Sequence, residues 1–327
     1  MPLFLALVRQ ESANDPALAR KALAGLDRYS TAARMPRDPP QPVVATIGGA
    51  SLRDHGGTGP PLLLVPSLIN PPHILDLDRE TSLAAALTTN RRILLLDWGK
   101  ASKRAGLSVA GHIESILVPL IEGLDQPPAL LGYCLGGTMA IAAAGMIRVD
   151  RLATLAAPWH FTAYSNQSRA ALARIWDSAR GPSVSLGALP MEVLQAAFWA
   201  LDPGRTVAKF AQFSELDPAS DEARRFIMLE DWANEGEPLP LPAARELVED
   251  LFGADLPGRN EWTVGSRQAT ERPSVTALHL IAASDNIVPA ATAPAGTRST
   301  IASGHVGMIV GRARHVLHAE LNAFLKD

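Results

Sequence analysis

The chain has 327 residues, of which 47% are hydrophobic and 19% are charged, and its formal net charge at pH 7 is −3. This length suits one large α/β domain, or a domain that carries an insertion, and the composition is that of a folded globular protein. Because Lys and Arg do not gather into any long run, the charge pattern argues against nucleic-acid binding through a basic face.

The N-terminal residues and the cysteine content indicate the cellular compartment in which the protein is expected. The single cysteine excludes an internal disulfide framework and agrees with a reducing compartment. Residues 1–8 are apolar but follow no basic segment, so they make a poor signal peptide and are too short to span a bilayer. We therefore predict a soluble, cytoplasmic protein without a transmembrane segment.

The first predicted element is an amphipathic helix over residues 14–34, with Asn14 or Asp15 as its N-cap and Pro16 near its first turn. A proline-rich linker, residues 37–42, follows it. We assign residues 1–42 to an N-terminal helical extension and linker. The helix is expected to pack on the sheet described next, and docking to a partner is the alternative.

From residue 43 onwards, short apolar strands alternate with helices, which is the pattern of a largely parallel sheet. A hairpin is predicted over residues 43–47 and 51–55. Unbroken Leu, Val and Ile runs then predict strands that are buried on both faces. These strands cover residues 62–65, 92–97, 129–134 and 152–156, with helices at about 80–89, 108–124 and 136–147.

After Pro158 the strand pattern gives way to helical periodicity, which predicts an all-helical cap insertion over residues 159–272. The sheet resumes near residue 276, so the core comprises residues 43–158 and 273–327. The predicted cap helices cover residues 168–179, 191–201, 221–233 and 243–252. The remaining predicted elements are strands at 276–283 and 299–302 and a final helix at 312–325.

A cysteine stands where one buried strand runs into a helix, in the string Gly132-Tyr133-Cys134-Leu135-Gly136. This is the arrangement of a nucleophile elbow in which Cys replaces Ser. The flanking glycines let strand and helix approach each other around a strained residue, and the helix N-terminus favours a thiolate. Most free cysteines are merely buried apolar residues, but the strand–elbow–helix context favours a nucleophile here.

Two downstream residues complete a triad with Cys134. Asp285 follows the strand at 276–283, and His305 follows the last short strand. Each alone has an ordinary interpretation, as a turn carboxylate and as a loop histidine. Together they reproduce the order nucleophile, acid, base of α/β-hydrolases. We therefore predict an α/β-hydrolase fold in which Cys134 is the nucleophile, His305 its base and Asp285 the orienting acid.

The same edge of the sheet should carry the oxyanion hole and the pocket. The backbone N–H groups of Leu135 and Leu68 are the expected oxyanion donors, since one follows the nucleophile and the other lies in the turn after the third strand. Pocket candidates are residues at strand ends on this edge: Ser67, Trp98, Tyr133, Trp159 and His160.

Metal and cofactor motifs are weak in this sequence. His315 and His318 lie one helical turn apart, but without a third ligand they are expected to be surface residues. Neither a phosphate-binding loop nor a dinucleotide-binding glycine pattern occurs in the expected context. We predict no bound metal and no cofactor.

Residues 132–138 (GYCLGGT) resemble the modified lipase box of polyhydroxyalkanoate synthases. The stretch LLDWG at 95–99 is most similar to the smaller synthases that work with a second subunit. The similarity runs from about residue 43 to the C-terminus. Its other motifs are LVPSLIN at 64–70, ILDL at 74–77, LAAPW at 155–159, LEDWAN at 229–234, DNIVP at 285–289 and SGHVG at 303–307.

This resemblance implies an acyltransferase that uses a coenzyme A thioester as its substrate. The Cys134 thiolate would attack a 3-hydroxyacyl-coenzyme A, with His305 as base, and coenzyme A would leave. The acyl group would then pass to the hydroxyl of another hydroxyacyl unit and extend a polyester. The implied partners are a second copy of the chain or a second synthase subunit, and the implied location is the cytoplasm or a polyester granule.

The sequence also departs from the family pattern, and two other functions stay open. Asn286 follows the acid where the family has His, His160 stands where it has Asp, and the stretch between acid and base is short. An Asp–Tyr pair expected after the fourth strand is replaced by residues 110–113. The trimmed elements favour a hydrolase, namely a thioesterase or an esterase of hydroxyacyl oligomers, whereas Cys in place of Ser favours acyl transfer, which stays the leading hypothesis. The third hypothesis is a non-catalytic, granule-associated subunit.

Overall fold

A computed structural model describes the backbone of residues 2–326 and the side chains of residues 4–326. Its main feature is an eight-stranded sheet. The strands are β1 (Val43–Ile47), β2 (Ala50–Asp54), β3 (Pro61–Val65), β4 (Arg92–Asp97), β5 (Ala129–Tyr133), β6 (Leu152–Leu155), β7 (Ala277–Ala282) and β8 (Thr297–Ile301).

The strand order is β1-β2-β4-β3-β5-β6-β7-β8. Only the pairings of β1 with β2 and of β2 with β4 are antiparallel, so the predicted, mostly parallel sheet is confirmed. Strands β3, β5 and β6 are buried along their whole length, because their Leu, Val and Ala side chains are covered on both faces. The parallel strands end at one edge, where functional residues of such sheets gather.

The α-helices, in chain order, are α1 (Pro2–Glu11), α2 (Pro16–Thr31), α3 (Leu83–Leu87), α4 (Val109–His112), α5 (Val118–Glu122), α6 (Leu135–Ala144), α7 (Asn166–Leu186), α8 (Met191–Leu201), α9 (Pro203–Glu215), α10 (Asp221–Asn234), α11 (Leu241–Arg245), α12 (Gly307–Val310) and α13 (Arg314–Lys326). Segments of π-helix cover Ile113–Leu117 and Glu246–Gly253. Short 3-10 turns cover Pro72–Asp76, Ala101–Arg104, Phe161–Ala163 and Ala290–Thr292.

The helix expected at 14–34 is present as α2, and Asp15, one of the two predicted caps, accepts hydrogen bonds from two of its backbone N–H groups. Three features of the helical regions were missed. Helix α1 precedes the predicted helix and was not expected. Helix α9 was missed, since Pro203 looks like a helix breaker but lies in the first turn, where proline is tolerated. The cap also holds two pairs of two-residue strands, Ala188–Leu189 with Leu239–Pro240 and Thr263–Val264 with Arg267–Gln268.

The chain divides into two compact units, one of residues 40–191 and 237–327, which contains the sheet, and one of residues 1–39 and 192–236. The second unit is helical, and Phe4, Val8, Ala22, Val207 and Phe210 form its buried core. Helix α2 belongs to this unit, where it packs closely on α9, and the expectation that it also packs on the sheet stays a prediction. The predicted bounds of the extension, core and cap stay predictions.

A polar network in the helical unit ties the segment after α2 to α10. Asp231 accepts hydrogen bonds from the Tyr29 hydroxyl at 2.6 Å and from Nη2 and Nε of Arg34 at 3.0 and 3.1 Å. The Arg34 guanidinium also lies 4.7 Å from the centre of the Tyr29 ring. Burial, with the hydrogen bond to Asp231, raises the pKa of Tyr29 to about 12, so its hydroxyl stays a donor. Asp231, in the LEDWAN motif, is therefore an acceptor that organises this unit.

A helix that spans a bilayer needs about 20 consecutive, mostly apolar residues, and this requirement applies to the helices described above. None of those within residues 2–326 is both long and apolar enough to cross a bilayer.

Candidate active site

Cys134 lies in the turn between β5 and α6, with φ 56° and ψ −130°. A side chain other than glycine rarely adopts this region, and such strain is typical of a nucleophile elbow. The turn is held by two backbone hydrogen bonds, from Cys134 N to the Leu155 carbonyl at 2.9 Å and from Gly137 N to the Cys134 carbonyl at 2.8 Å. The thiol-bearing residue itself is partly exposed.

The glycines around Cys134 are required by close backbone approaches. A Cβ atom at Gly132 would lie 2.5 Å from the Cα atom of Gly137, within the elbow itself. A Cβ atom at Gly136 would lie 2.2 Å from the Val65 carbonyl oxygen and 2.5 Å from that of Pro66. The start of α6 therefore packs directly on the turn that follows β3.

His305 and Asp285 form a buried pair. Nδ1 of His305 donates a hydrogen bond to Oδ2 of Asp285 at 2.7 Å. The other carboxylate oxygen, Oδ1, accepts from the backbone N–H groups of Ile287 and Val288, both at 2.8 Å. With its side chain at 0% exposure and both oxygens engaged, Asp285 holds one orientation and fixes the imidazole ring.

The charge state of His305 follows from its neighbours. Burial by itself lowers the pKa of His305, but the negative charge of Cys134 and hydrogen bonds to Asp285 and Cys134 raise it to about 10. The imidazole is therefore hydrogen-bonded to Asp285 and influenced by the neighbouring Cys134, and its protonated form is favoured at neutral pH. The structure thus brings the three residues together.

The raised pKa of His305 predicts a pH dependence of stability. Because the pKa in the folded state lies above the usual 6.5, this pair stabilises the fold fully below about pH 6.5 and less as the pH rises towards about 10. We expect the difference in unfolding free energy between the wild type and His305→Gln to shrink over that range, measured by urea denaturation at several pH values. A difference that grows from pH 7 to 10 would contradict the assignment of a protonated His305.

The predicted oxyanion donors lie on two segments that pack against each other. Leu135 is the first residue of α6, so its backbone N–H has no acceptor within the helix. Leu68 is buried in the turn after β3, the same turn on which Gly136 packs. In that turn, the Ile69 N–H donates to the Ser67 hydroxyl at 3.3 Å, so Ser67 acts as a turn acceptor.

Two pocket candidates have defined contacts: Tyr133 contacts a triad residue, and Trp98 contacts the turn after β3. The Tyr133 ring lies on the His305 ring with centroids 5.0 Å apart, and its hydroxyl donates to the His305 carbonyl at 3.4 Å. Burial, with the charges of Cys134 and Asp285, raises the pKa of Tyr133 well above its usual range. The Trp98 indole N–H donates to the Pro66 carbonyl at 3.0 Å.

The remaining pocket candidates, Trp159 and His160, contact residues outside the triad. Trp159 is fully buried, packs on Trp262 at 6.1 Å between ring centres, and donates its backbone N–H to the Thr292 carbonyl at 2.7 Å. Nε2 of His160 lies 3.0 Å from Oε2 of Glu271. Both contacts stabilise the loop that leaves β6, and a role for either residue in the pocket stays a prediction.

One aromatic residue near the triad was missed by sequence reasoning. Tyr164 is buried, and burial together with the negative charges of Cys134 and Asp285 raises its pKa well above its usual range. Its ring packs on Phe161 and Phe252. No motif marks this tyrosine, but its place in the loop after β6, the strand next to β5, was a usable signal.

A protein metal site needs several His, Cys, Asp or Glu side chains around one point. The His315 and His318 rings lie 6.3 Å apart on α13. Within residues 4–326, no group of three or more His, Cys, Asp or Glu side chains is arranged to hold a metal ion.

No protein-family model matches the chain. Curated relatives named poly(3-hydroxyalkanoate) polymerase subunit PhaC do match it: 26% identical over 280 residues in Haloferax mediterranei (78% of this chain, 56% of the relative), 24% over 291 in Haloarcula marismortui (83% and 61%), and 25% over 291 in Allochromatium vinosum (82% and 81%). The chain is thus similar to PhaC polymerase subunits over most of its own length. It spans little more than half the length of the first two relatives.

Solved structures show the fold of the chain. Bacillus megaterium epoxide hydrolase superposes with a TM-score of 0.57 at 14% identity, covering 86% of this chain and 99% of that one. A hydrolase from Pseudomonas aeruginosa PA01 gives 0.52 at 18% identity, with 88% and 98% covered. The Mycobacterium tuberculosis bromoperoxidase BpoC gives 0.51 at 16%, with 89% and 100% covered. The predicted α/β-hydrolase fold is confirmed.

Proposed function

We propose that the chain is an acyltransferase that takes the acyl group of a 3-hydroxyacyl-coenzyme A onto Cys134 and passes it to a hydroxyl acceptor. The observation that carries the proposal is the buried His305–Asp285 pair, with 2.7 Å between Nδ1 and Oδ2. The pKa of its imidazole is raised by Cys134, which lies on a strained elbow. The similarity to PhaC polymerase subunits supports the substrate class.

The first half of the reaction acylates the enzyme. The Cys134 thiolate attacks the thioester carbonyl carbon, and the backbone N–H groups of Leu135 and Leu68 stabilise the oxyanion. The carbon–sulfur bond to coenzyme A then breaks, and the departing thiolate takes a proton from the His305 imidazolium. Asp285 stabilises that imidazolium before transfer and holds the ring afterwards.

The second half of the reaction transfers the acyl group to a hydroxyl acceptor and regenerates the Cys134 thiolate. The hydroxyl of another hydroxyacyl unit gives its proton to neutral His305 and attacks the acyl-Cys134 carbonyl. An ester bond forms, the carbon–sulfur bond to Cys134 breaks, and the thiolate is regenerated beside the imidazolium. A cysteine suits this exchange, because its acyl product is a thioester and remains activated towards an alcohol.

Product analysis tests this proposal. Wild type and Cys134→Ala are incubated with 3-hydroxybutyryl-coenzyme A, and released coenzyme A, free 3-hydroxybutyrate and ester-linked oligomers are measured. We expect coenzyme A release with oligomers from the wild type and neither from Cys134→Ala. Coenzyme A release with free acid as the sole acyl product would overturn the acyltransferase assignment.

A hydrolase is the second candidate, and one observation favours it. Between Asp285 and His305 the chain holds only the turn Ala290–Thr292 and strand β8, which is a short connection beside the acyl site. In a thioesterase or esterase, water would replace the hydroxyl acceptor on acyl-Cys134. The same product analysis identifies this activity by its free hydroxy acid.

A further inference from the structure

We propose that Trp98 is a positioning residue that holds the oxyanion-hole turn in register with the nucleophile. This inference rests on the proposed function and adds a residue to its machinery. Trp98 does not act on the substrate in this account. It acts through the Pro66 carbonyl, to which its indole N–H is bonded.

The Pro66 peptide is held from two sides. On one side, the Trp98 indole, at 4% exposure, donates to the Pro66 carbonyl oxygen at 3.0 Å. On the other, α6 approaches so closely that a Cβ atom at Gly136 would lie 2.5 Å from the same oxygen. Since Leu68 follows only two residues later, the position of its N–H relative to Cys134 depends on this peptide.

Trp98 is itself fixed by a buried pair. Its ring meets the His112 ring edge-on, with centroids 5.7 Å apart and planes at 86°. Nε2 of His112 accepts from Nη1 of Arg104 at 2.9 Å, and Nδ1 donates to the Ser108 carbonyl at 2.6 Å. Both ring nitrogens of the imidazole are therefore engaged, which holds the surface on which Trp98 packs.

His112 also keeps the same charge state across neutral pH. Burial, and then the nearby Arg104 charge, lower the pKa of His112 to about 4, although its bond to Ser108 acts the other way. His112 is thus neutral at pH 7, with an acceptor facing Arg104. The charge of the imidazole on which Trp98 packs therefore does not change between about pH 5 and 8.

Loss of the Trp98 N–H should affect acylation and leave the thiol itself unchanged. One oxyanion donor contributes about 10²–10³ in rate, and donors act fully only when placed within about 0.5 Å. Trp98→Phe keeps an aromatic ring against His112 but leaves the buried Pro66 carbonyl without its donor. We expect kcat for acyl transfer to fall about tenfold with KM little changed, since the turn acts on the oxyanion rather than on substrate binding.

Two reactions of the same cysteine test this inference. Alkylation of Cys134 by iodoacetamide needs no oxyanion hole, whereas acylation by p-nitrophenyl acetate does. For Trp98→Phe we expect an alkylation rate within about twofold of the wild type and an acylation rate about tenfold lower. The matched control is Trp176→Phe, another buried tryptophan, whose N–H donates to Glu249 at 2.9 Å, and it should leave both rates unchanged.

Each other outcome has a defined meaning. Unchanged acylation in Trp98→Phe, or equal loss of alkylation and acylation, would overturn the positioning role. A wild type that is acylated by the ester but not by 3-hydroxybutyryl-coenzyme A would overturn the proposed function, while the Trp98 comparison still decides the positioning role. Absence of acylation of the wild type by both the ester and 3-hydroxybutyryl-coenzyme A would overturn both.

Discussion

Replacing Gly25 by alanine is expected to destabilise the helical unit by about 2 kcal/mol, although alanine is the better helix former. A Cβ atom at Gly25 would lie 1.9 Å from the Phe210 carbonyl oxygen and 2.7 Å from its carbonyl carbon. Both atoms belong to the backbone of α9, so α2 and α9 must move apart. Overpacking of this kind costs about 1–3 kcal/mol or more, against a propensity gain of about 1 kcal/mol.

A glycine on the partner helix provides the control for Gly25→Ala. Gly204 lies in α9, and a Cβ atom there would have its nearest neighbour, Oε2 of Glu11, at 3.6 Å, which is ordinary contact. Gly204→Ala should therefore be neutral or slightly stabilising. Urea denaturation followed by circular dichroism measures both variants. Equal stability of Gly25→Ala and the wild type would show that α2 and α9 do not pack as closely as described.

Replacing His305 by glutamine is expected to slow acylation of Cys134 by about a thousandfold. General acid–base catalysis contributes about 10²–10⁴ in rate. His305 is hydrogen-bonded to Asp285, and the neighbouring Cys134 raises its pKa. Glutamine can still donate a hydrogen bond to the buried Asp285 carboxylate, so the fold should persist. Single-turnover release of coenzyme A from 3-hydroxybutyryl-coenzyme A measures the effect.

An exposed histidine provides the control that separates the loss of His305 from an unspecific effect of a His-to-Gln substitution. His315→Gln makes the same chemical change on the exposed side of α13 and should leave the acylation rate at the wild-type value. If His305→Gln retained more than about a tenth of the wild-type rate, His305 could not be the acid and base of this reaction.

The sheet and the assembly of the triad could be predicted from sequence, for a physical reason. Strands buried on both faces need unbroken apolar runs, and β3 and β5 have them. Parallel strands end at one edge of the sheet, so residues that follow different strands meet there. Asp285 and His305 are far from Cys134 in the chain, yet all three lie just after the end of a parallel strand.

The partner of the N-terminal helices could not be predicted in the same way. Helical periodicity identifies the face of α2 that becomes buried, but it does not identify the element that covers this face. The close approach at Gly25 depends on the backbone of Phe210, which lies in a helix that sequence reasoning missed. A glycine inside a helix looks like a propensity defect until its neighbour is known.

The roles of individual polar atoms at the site were equally hidden. Trp98 at a strand end was interpreted as a pocket wall, because its position predicts the edge of the sheet and nothing about its N–H. Its hydrogen bond to Pro66 and its packing on His112 join residues that are distant in the chain, so no sequence pattern predicts them. His160 likewise was placed on the active edge, but its bond to Glu271 comes from the far end of the cap.

The most direct measurement of the central claim is the intact mass of the protein after brief exposure to 3-hydroxybutyryl-coenzyme A, with peptide mapping of any adduct. We predict one hydroxybutyryl group on the wild type, carried by the peptide that contains Cys134, and none on Cys134→Ala. An adduct that persists in Cys134→Ala, or coenzyme A release without Cys134, would contradict covalent catalysis by this cysteine.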